Sequence, residues 1–169
     1  MGHANSRDSG RQLPSANLAG ANLRGADLKC ANLQSADLDS ADLRQASLEQ
    51  ANLEGAVLSD AKMSGANLTA ADLYMAILYN ADLEQANLEG AELLGADLTG
   101  ANLRKANLRN AKLGLSNVGT ATRLNGAILL DAQIEGADFS GATYDASTQF
   151  PKGFSPDAYE MIFDVIKTQ

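Results

Sequence analysis

The chain has 169 residues, 21 acidic against 13 basic, for a formal net charge of −8. That length suits one domain, and the acidic balance argues against a Lys/Arg footprint for a nucleic-acid duplex, so direct nucleic-acid binding is not expected. One Cys excludes an internal disulfide, no apolar run is long enough to span a bilayer, and 5% aromatics with no Trp imply a thin core of Ala and Leu.

Residues 1–15 are polar, with Ser6, Ser9, Gly10 and Pro14, and are expected to form a disordered tail. They lack the apolar stretch of a signal peptide, so the expected compartment is the cytoplasm. Leu13 fits the repeat described next, although Arg11 occupies the place of its Ala.

From Ala16 to Ala111 every fifth residue is Ala, and from Leu18 to Leu113 every fifth residue is Leu except Met63. The intervening position, beginning at Asn17, is Asn or Asp in 14 of 20 repeats. Ala and Leu two residues apart point to one side of an extended segment, and the residue between them points to the other. A strict spacing of five would spread Leu around the whole circumference of a helix, so helix is excluded here. The two variable positions accept Gly20, Gly25, Ser35, Ser40 and Asn80, which tolerate turns, so the chain is expected to turn every five residues.

The motif A-[ND]-L-x-x over residues 16–144 resembles the pentapeptide repeat family. The resemblance implies an all-β solenoid: a right-handed quadrilateral β-helix with 20 residues per coil, Leu filling the interior and small Ala letting the walls approach. The repeats then make about six and a half coils. The frame breaks once. Val118 takes the Leu position and Leu124 is the next to fit, which places a bulged corner at 119–123.

Residues 145–169 are expected to hold a linker and a short capping α-helix. Ser155 and Pro156 read as N-cap and first turn, and Tyr159, Ile162, Phe163 and Ile166 follow helical spacing. Such a helix would cover the exposed last coil. The other end has no equivalent, so either the tail covers the first coil or a second protomer stacks there as a homodimer through a coil end.

Little points to chemistry. His3 lies in the tail and Cys30 at a corner, so no His-based or Cys-His nucleophilic pair is plausible, and no catalytic residue is expected. Asp27, Asp37, Asp42, Asp72, Asp82 and Asp97 occupy the Asn/Asp slot, where side-chain oxygens can accept backbone hydrogen bonds at turns. Neither a calcium-binding nonapeptide nor a phosphate loop occurs, so no metal or cofactor is expected.

Residues 20 apart should stack, which places Arg104 over Glu84, Arg109 over Glu89, Lys112 over Glu92 and Arg44 over Arg24. The same register stacks Val57 and Ile77, both replacing Asn/Asp, and sets Tyr74 under Leu94 with Met75 and Tyr79 nearby. These six make either a candidate interface for an unidentified protein or a packing between coils that merely thickens the wall. The expected function is a non-enzymatic protein-interaction or scaffold module. The family resemblance also carries an alternative, an acidic DNA mimic that binds a DNA topoisomerase such as gyrase, but the Asp37, Val57, Ile77, Asp97 column interrupts its acid twice. The repeat and the F-P-x-G-F-x-P stretch at Phe150–Pro156 resemble small cyanobacterial members of the family.

Overall fold

A computed structural model describes residues 10–165. The repeat becomes a solenoid because each unit has too little apolar surface to fold alone and buries its Ala and Leu only against the coils above and below. Parallel bridges at an offset of 20 residues define four walls. These are followed by Gln12↔Asn32, Asn17↔Asp37, Asn22↔Asp42 and Asp27↔Ser47, and they are called the first to fourth walls below. From Ala31 to Leu113 the Ala and Leu positions are almost completely inaccessible, Met63 included. Leu13, Leu18 and Leu23 are only partly buried, because the lowest coil has a neighbour on one side alone.

Each corner is a β-turn in which the Leu C=O accepts the N–H of the next Ala, as in Leu58 to Ala61 at 3.1 Å. The residue before that Ala is left-handed: Gly at some corners, but also Cys30, Ala70, Met75 and Gln85, with φ from 53° to 58°. The Asn/Asp side chain serves the same corner. Its Oδ1 accepts the N–H two residues on, as Asn52 does from Glu54 at 2.9 Å and Asp97 from Thr99 at 3.0 Å. Wall and corner are thus encoded by one pentapeptide.

The ladder begins before residue 16. Gln12 pairs with Asn32, Leu13 packs on the core, and a Cβ at Gly10 would lie 1.9 Å from the Cys30 carbonyl oxygen. Part of the expected tail, from Gly10 to Ser15, therefore belongs to the first coil. Backbone hydrogen bonding to the second coil outweighs the missing Ala at Arg11. The tail's earlier residues, His3 among them, lie outside the described residues.

The frame break is larger than one residue. Glu92↔Lys112 keeps the offset of 20, whereas Asp97↔Arg123 has an offset of 26, so Gly114–Ala121 holds a six-residue insertion. Val118 does not occupy a Leu position: it is 70% exposed. Thr122 stands in the Ala position and splices the ladder. Its Oγ1 accepts the Gly95 N–H at 3.0 Å and lies 2.7 Å from the Leu93 carbonyl and 3.0 Å from that of Gly114. A second shift, of one residue, follows Tyr144 and makes Ile128 pair with Gln149. There Asp145 Oδ1 accepts the N–H groups of Gly126, Ser147 and Thr148.

The expected α-helix is replaced by a single 3-10 turn, Pro156–Tyr159, and a short strand, β2 (Ile162–Phe163), which pairs in parallel with β1 (Thr143–Tyr144). Ser155 and Pro156 do hold the N-cap and first position, but Glu160 is left-handed at φ 53° and stops the helix. The open ladder offers β2 backbone partners that a helix could not use: Ile162 donates to Ala142 and Asp164 to Tyr144. Tyr159 is half-buried, Ile162 and Phe163 are about half exposed, and Ile166 lies outside the described residues. Above the last Leu layer lies an aromatic layer. Phe150, Phe154 and Tyr159 stack face to face at 4.6 and 4.5 Å, while Phe139 and Tyr144 meet Phe154 and Phe163 edge-on at 5.5 and 5.2 Å.

Candidate protein-docking face

The stacking inferred from sequence places all six candidate residues on the second wall and its two flanking corners. Val57 and Ile77 form a bridge and project outward one above the other. Val57 is half-buried, Ile77 is 41% exposed, and Tyr79, at the following corner, is 47% exposed. Neither aliphatic side chain offers the turn oxygen that Asn or Asp would give to the N–H of Ser59 or Tyr79. Their local cost is a lost hydrogen bond, about 0.5–1.5 kcal/mol each.

The other three candidates sit differently. Tyr74, Met75 and Leu94 are half-buried at the preceding corner, where Met75 N–H donates to Leu94 at 3.1 Å. The inserted loop lies against this corner. Tyr74 Oη donates to Asn117 Oδ1 at 2.5 Å, and a Cβ on Gly95 would fall 2.6 Å from Met75 Sδ and 3.2 Å from Ser116 Cβ. The insertion was legible only as a frame break, so its packing over Tyr74 was not. It adds two exposed apolar residues, Leu115 and Val118.

The charge pairs agree in part. Lys112 is hydrogen-bonded to Glu92 as expected, which raises the lysine pKa through that bond and the charge attraction. Arg109 instead reaches up to Glu135 at 3.2 Å, leaving Glu89 to accept from Asn107 at 3.1 Å. Arg104 makes no ion pair among the described residues. Lys29 with Glu49, Arg123 with Asp97, and Arg44 with Asp42 complete the set, at 3.0, 3.4 and 2.5 Å. The hydrogen-bonded Arg44 guanidinium holds the Asp42 carboxyl down at about 2.

Arg44 and Arg24 also line an open groove of about 420 Å³ at the corner between the third and fourth walls. It exists because Ser64 and Gly65 are small between Arg44 below and Glu84 above, and its opposite charges face one another across the notch. No group of three His, Cys, Asp or Glu side chains among the described residues is placed to hold a metal ion. Cys30 sits at a corner as expected, its Sγ 3.6 Å from Gln50 Oε1. No described helix is long and apolar enough to cross a membrane.

The family described as pentapeptide repeats matches residues 12–45, 36–73 and 76–114, in eight copies. The chain belongs to the pentapeptide repeat family. That membership implies the right-handed quadrilateral β-helix whose four walls are described above, in a family that is generally non-enzymatic. Among solved structures, the chain is similar to the pentapeptide repeat protein Rfr23 of the cyanobacterium Cyanothece 51142, at 37% identity and a TM-score of 0.54. The match covers 59% of this chain and 63% of Rfr23, less than two thirds of that protein's length. A pentapeptide repeat protein of the Arabidopsis thaliana thylakoid lumen is 35% identical over 56% of this chain and 70% of its own, with a TM-score of 0.47. HetL, involved in heterocyst differentiation regulation in the cyanobacterium Nostoc, is 30% identical over 89% of this chain and 69% of its own, with a TM-score of 0.39. No curated protein sequence matches.

Proposed function

We propose that this protein is a non-enzymatic interaction module that docks a protein partner on its second wall. One observation carries the reading: at Val57 and Ile77 the repeat gives up its turn-stabilising Asn/Asp for outward apolar side chains, beside an exposed Tyr79. A local stability cost retained on an open surface is characteristic of a contact site, where aromatic and branched side chains supply most of the binding energy. Tyr74, Met75 and Leu94 belong to the same face but are half-buried at its edge, where they shape it together with the inserted loop. Further parts of this reading are a cytoplasmic location, about six and a half coils of repeat, and an aromatic C-terminal layer that caps the solenoid and leaves the first coil as the end for self-association.

The test compares the wild type with an Ile77→Asn, Tyr79→Ser double variant of unchanged fold in affinity capture from a cyanobacterial lysate. A protein retained by the wild type and lost by the variant supports the docking face. Identical captured sets overturn it.

A further inference from the structure

Resting on that docking reading, we infer that the occupant of the second wall is a basic protein segment with an apolar anchor. The wall and its two corners comprise residues 14–20, 34–40, 54–60, 74–80 and 94–100 over five successive coils. These contain Asp37, Asp39, Glu54, Asp60 and Asp97, and no Lys, Arg or His. From Ala16 to Lys112 the basic residues are sorted elsewhere, with Lys62 on the third wall, Lys112 on the first, and Arg24, Lys29, Arg44, Arg104, Lys105 and Arg109 at the remaining corners. No single column displays the sorting, because the five carboxylates are distributed over four columns, one on the wall and three at its corners.

The arrangement surrounds the apolar centre. Asp37 stands one coil below Val57 and Asp97 one coil above Ile77, while Glu54 flanks the wall on one side and Asp39 and Asp60 on the other. Of the five, Asp97 alone forms an ion pair among the described residues, with Arg123 at 3.4 Å on the next coil. Three coil steps separate Asp37 from Asp97, about 14 Å along the axis at the strand spacing. Lys or Arg residues two helical turns apart, about 11 Å, reach both carboxylates while an apolar residue between them rests on Ile77. Negative potential that an ion pair relieves only at Asp97, around an exposed apolar centre, favours a cationic partner and speeds its encounter. The same potential repels nucleic acid, anionic lipid and a face-to-face second copy of this chain.

The probe is a fluorescent 15-residue peptide with a Leu-Phe-Leu centre and three Lys on each side, compared by anisotropy with a version carrying Gln in place of Lys. At low ionic strength the Lys peptide is expected to bind roughly tenfold more tightly than the Gln peptide and to lose that advantage in molar salt. Ile77→Asn with Tyr79→Ser should weaken it about tenfold, and Asp37→Asn with Asp60→Asn about fivefold. Tyr79→Ser alone serves if the double variant misfolds. Equal, salt-insensitive binding of both peptides overturns the basic partner but leaves the docking face intact. Lys-peptide binding indifferent to Ile77 and Tyr79 overturns it as bare charge attraction. Binding of neither peptide overturns the inference, and the docking face is then decided by the captured sets alone.

Discussion

Tyr74 Oη and Asn117 Oδ1 meet at 2.5 Å across 43 residues of chain, tying the inserted loop to a corner of the regular solenoid. This one contact turns Tyr74 from a free surface aromatic into a support for the loop. Tyr74→Phe should cost about 0.5–1.5 kcal/mol and raise amide exchange in residues 114–121, while leaving exchange in the Leu-lined coils unchanged. Unaltered exchange in that loop would show that the hydroxyl does not hold it.

Ile77→Asn should restore the turn hydrogen bond to the Tyr79 N–H that Asn and Asp make elsewhere in the ladder. That gain offsets the loss of a partly exposed Ile, so unfolding free energy should move by less than about 1 kcal/mol. By contrast, Leu78→Ala, in the inaccessible column beside it, should cost about 2–5 kcal/mol. Denaturant titration of the two variants separates surface from core.

Thr122→Val keeps the shape of the side chain and removes the hydroxyl that joins Gly95, Leu93 and Gly114. The Leu93 and Gly114 carbonyls keep the N–H groups of Ala96 and Thr122, but the Gly95 N–H loses its acceptor, which should destabilise by about 1–3 kcal/mol. Thr122→Ser, which keeps the hydroxyl, should recover most of the loss.

Ala70 is exposed and left-handed at φ 53°, and its side chain makes no use of that strain. Ala70→Gly should stabilise the fold by about 1 kcal/mol, read as a higher thermal midpoint.

Asp42 has its pKa lowered to about 2 by the hydrogen-bonded Arg44. A depressed carboxyl contributes stability that is complete above its unfolded value of 3.8 and is lost as pH falls toward 2. Carbon-detected NMR titration should place the Asp42 midpoint near 2, and Arg44→Gln should return it toward 3.8. Asp145 should move the same way: burial pushes its carboxyl up, but hydrogen bonds from Ser147, Gly126 and Thr148 together hold it below the ordinary range.

The stacking within the candidate face was legible from the sequence alone. The stacking of Val57 under Ile77, and of Tyr74 under Leu94, followed from counting 20 residues, because backbone hydrogen bonds between coils allow no slip without turning every Leu outward. The pairing of Arg109 was not legible. Glu89 and Glu135 lie below and above it in the same column, and the 26-residue step that brings Glu135 over Arg109 depends on how the insertion is spliced.

The amino-acid pattern alone was enough for the repeat, the buried Ala and Leu columns and the Asn/Asp turns, since each is enforced within five residues and repeated at every corner. Where the period lapses, local preference and tertiary opportunity diverge. Residues 156–166 carry a helical spacing, yet the open ladder at Thr143–Tyr144 offers Ile162 and Phe163 backbone partners, and the rings of Phe150, Phe154 and Tyr159 find one another only across the coil end. The same holds for the acidic rim of the second wall. Asp37, Asp39, Glu54, Asp60 and Asp97 are scattered along 61 residues of chain and become one electrostatic surface only when four coils are stacked.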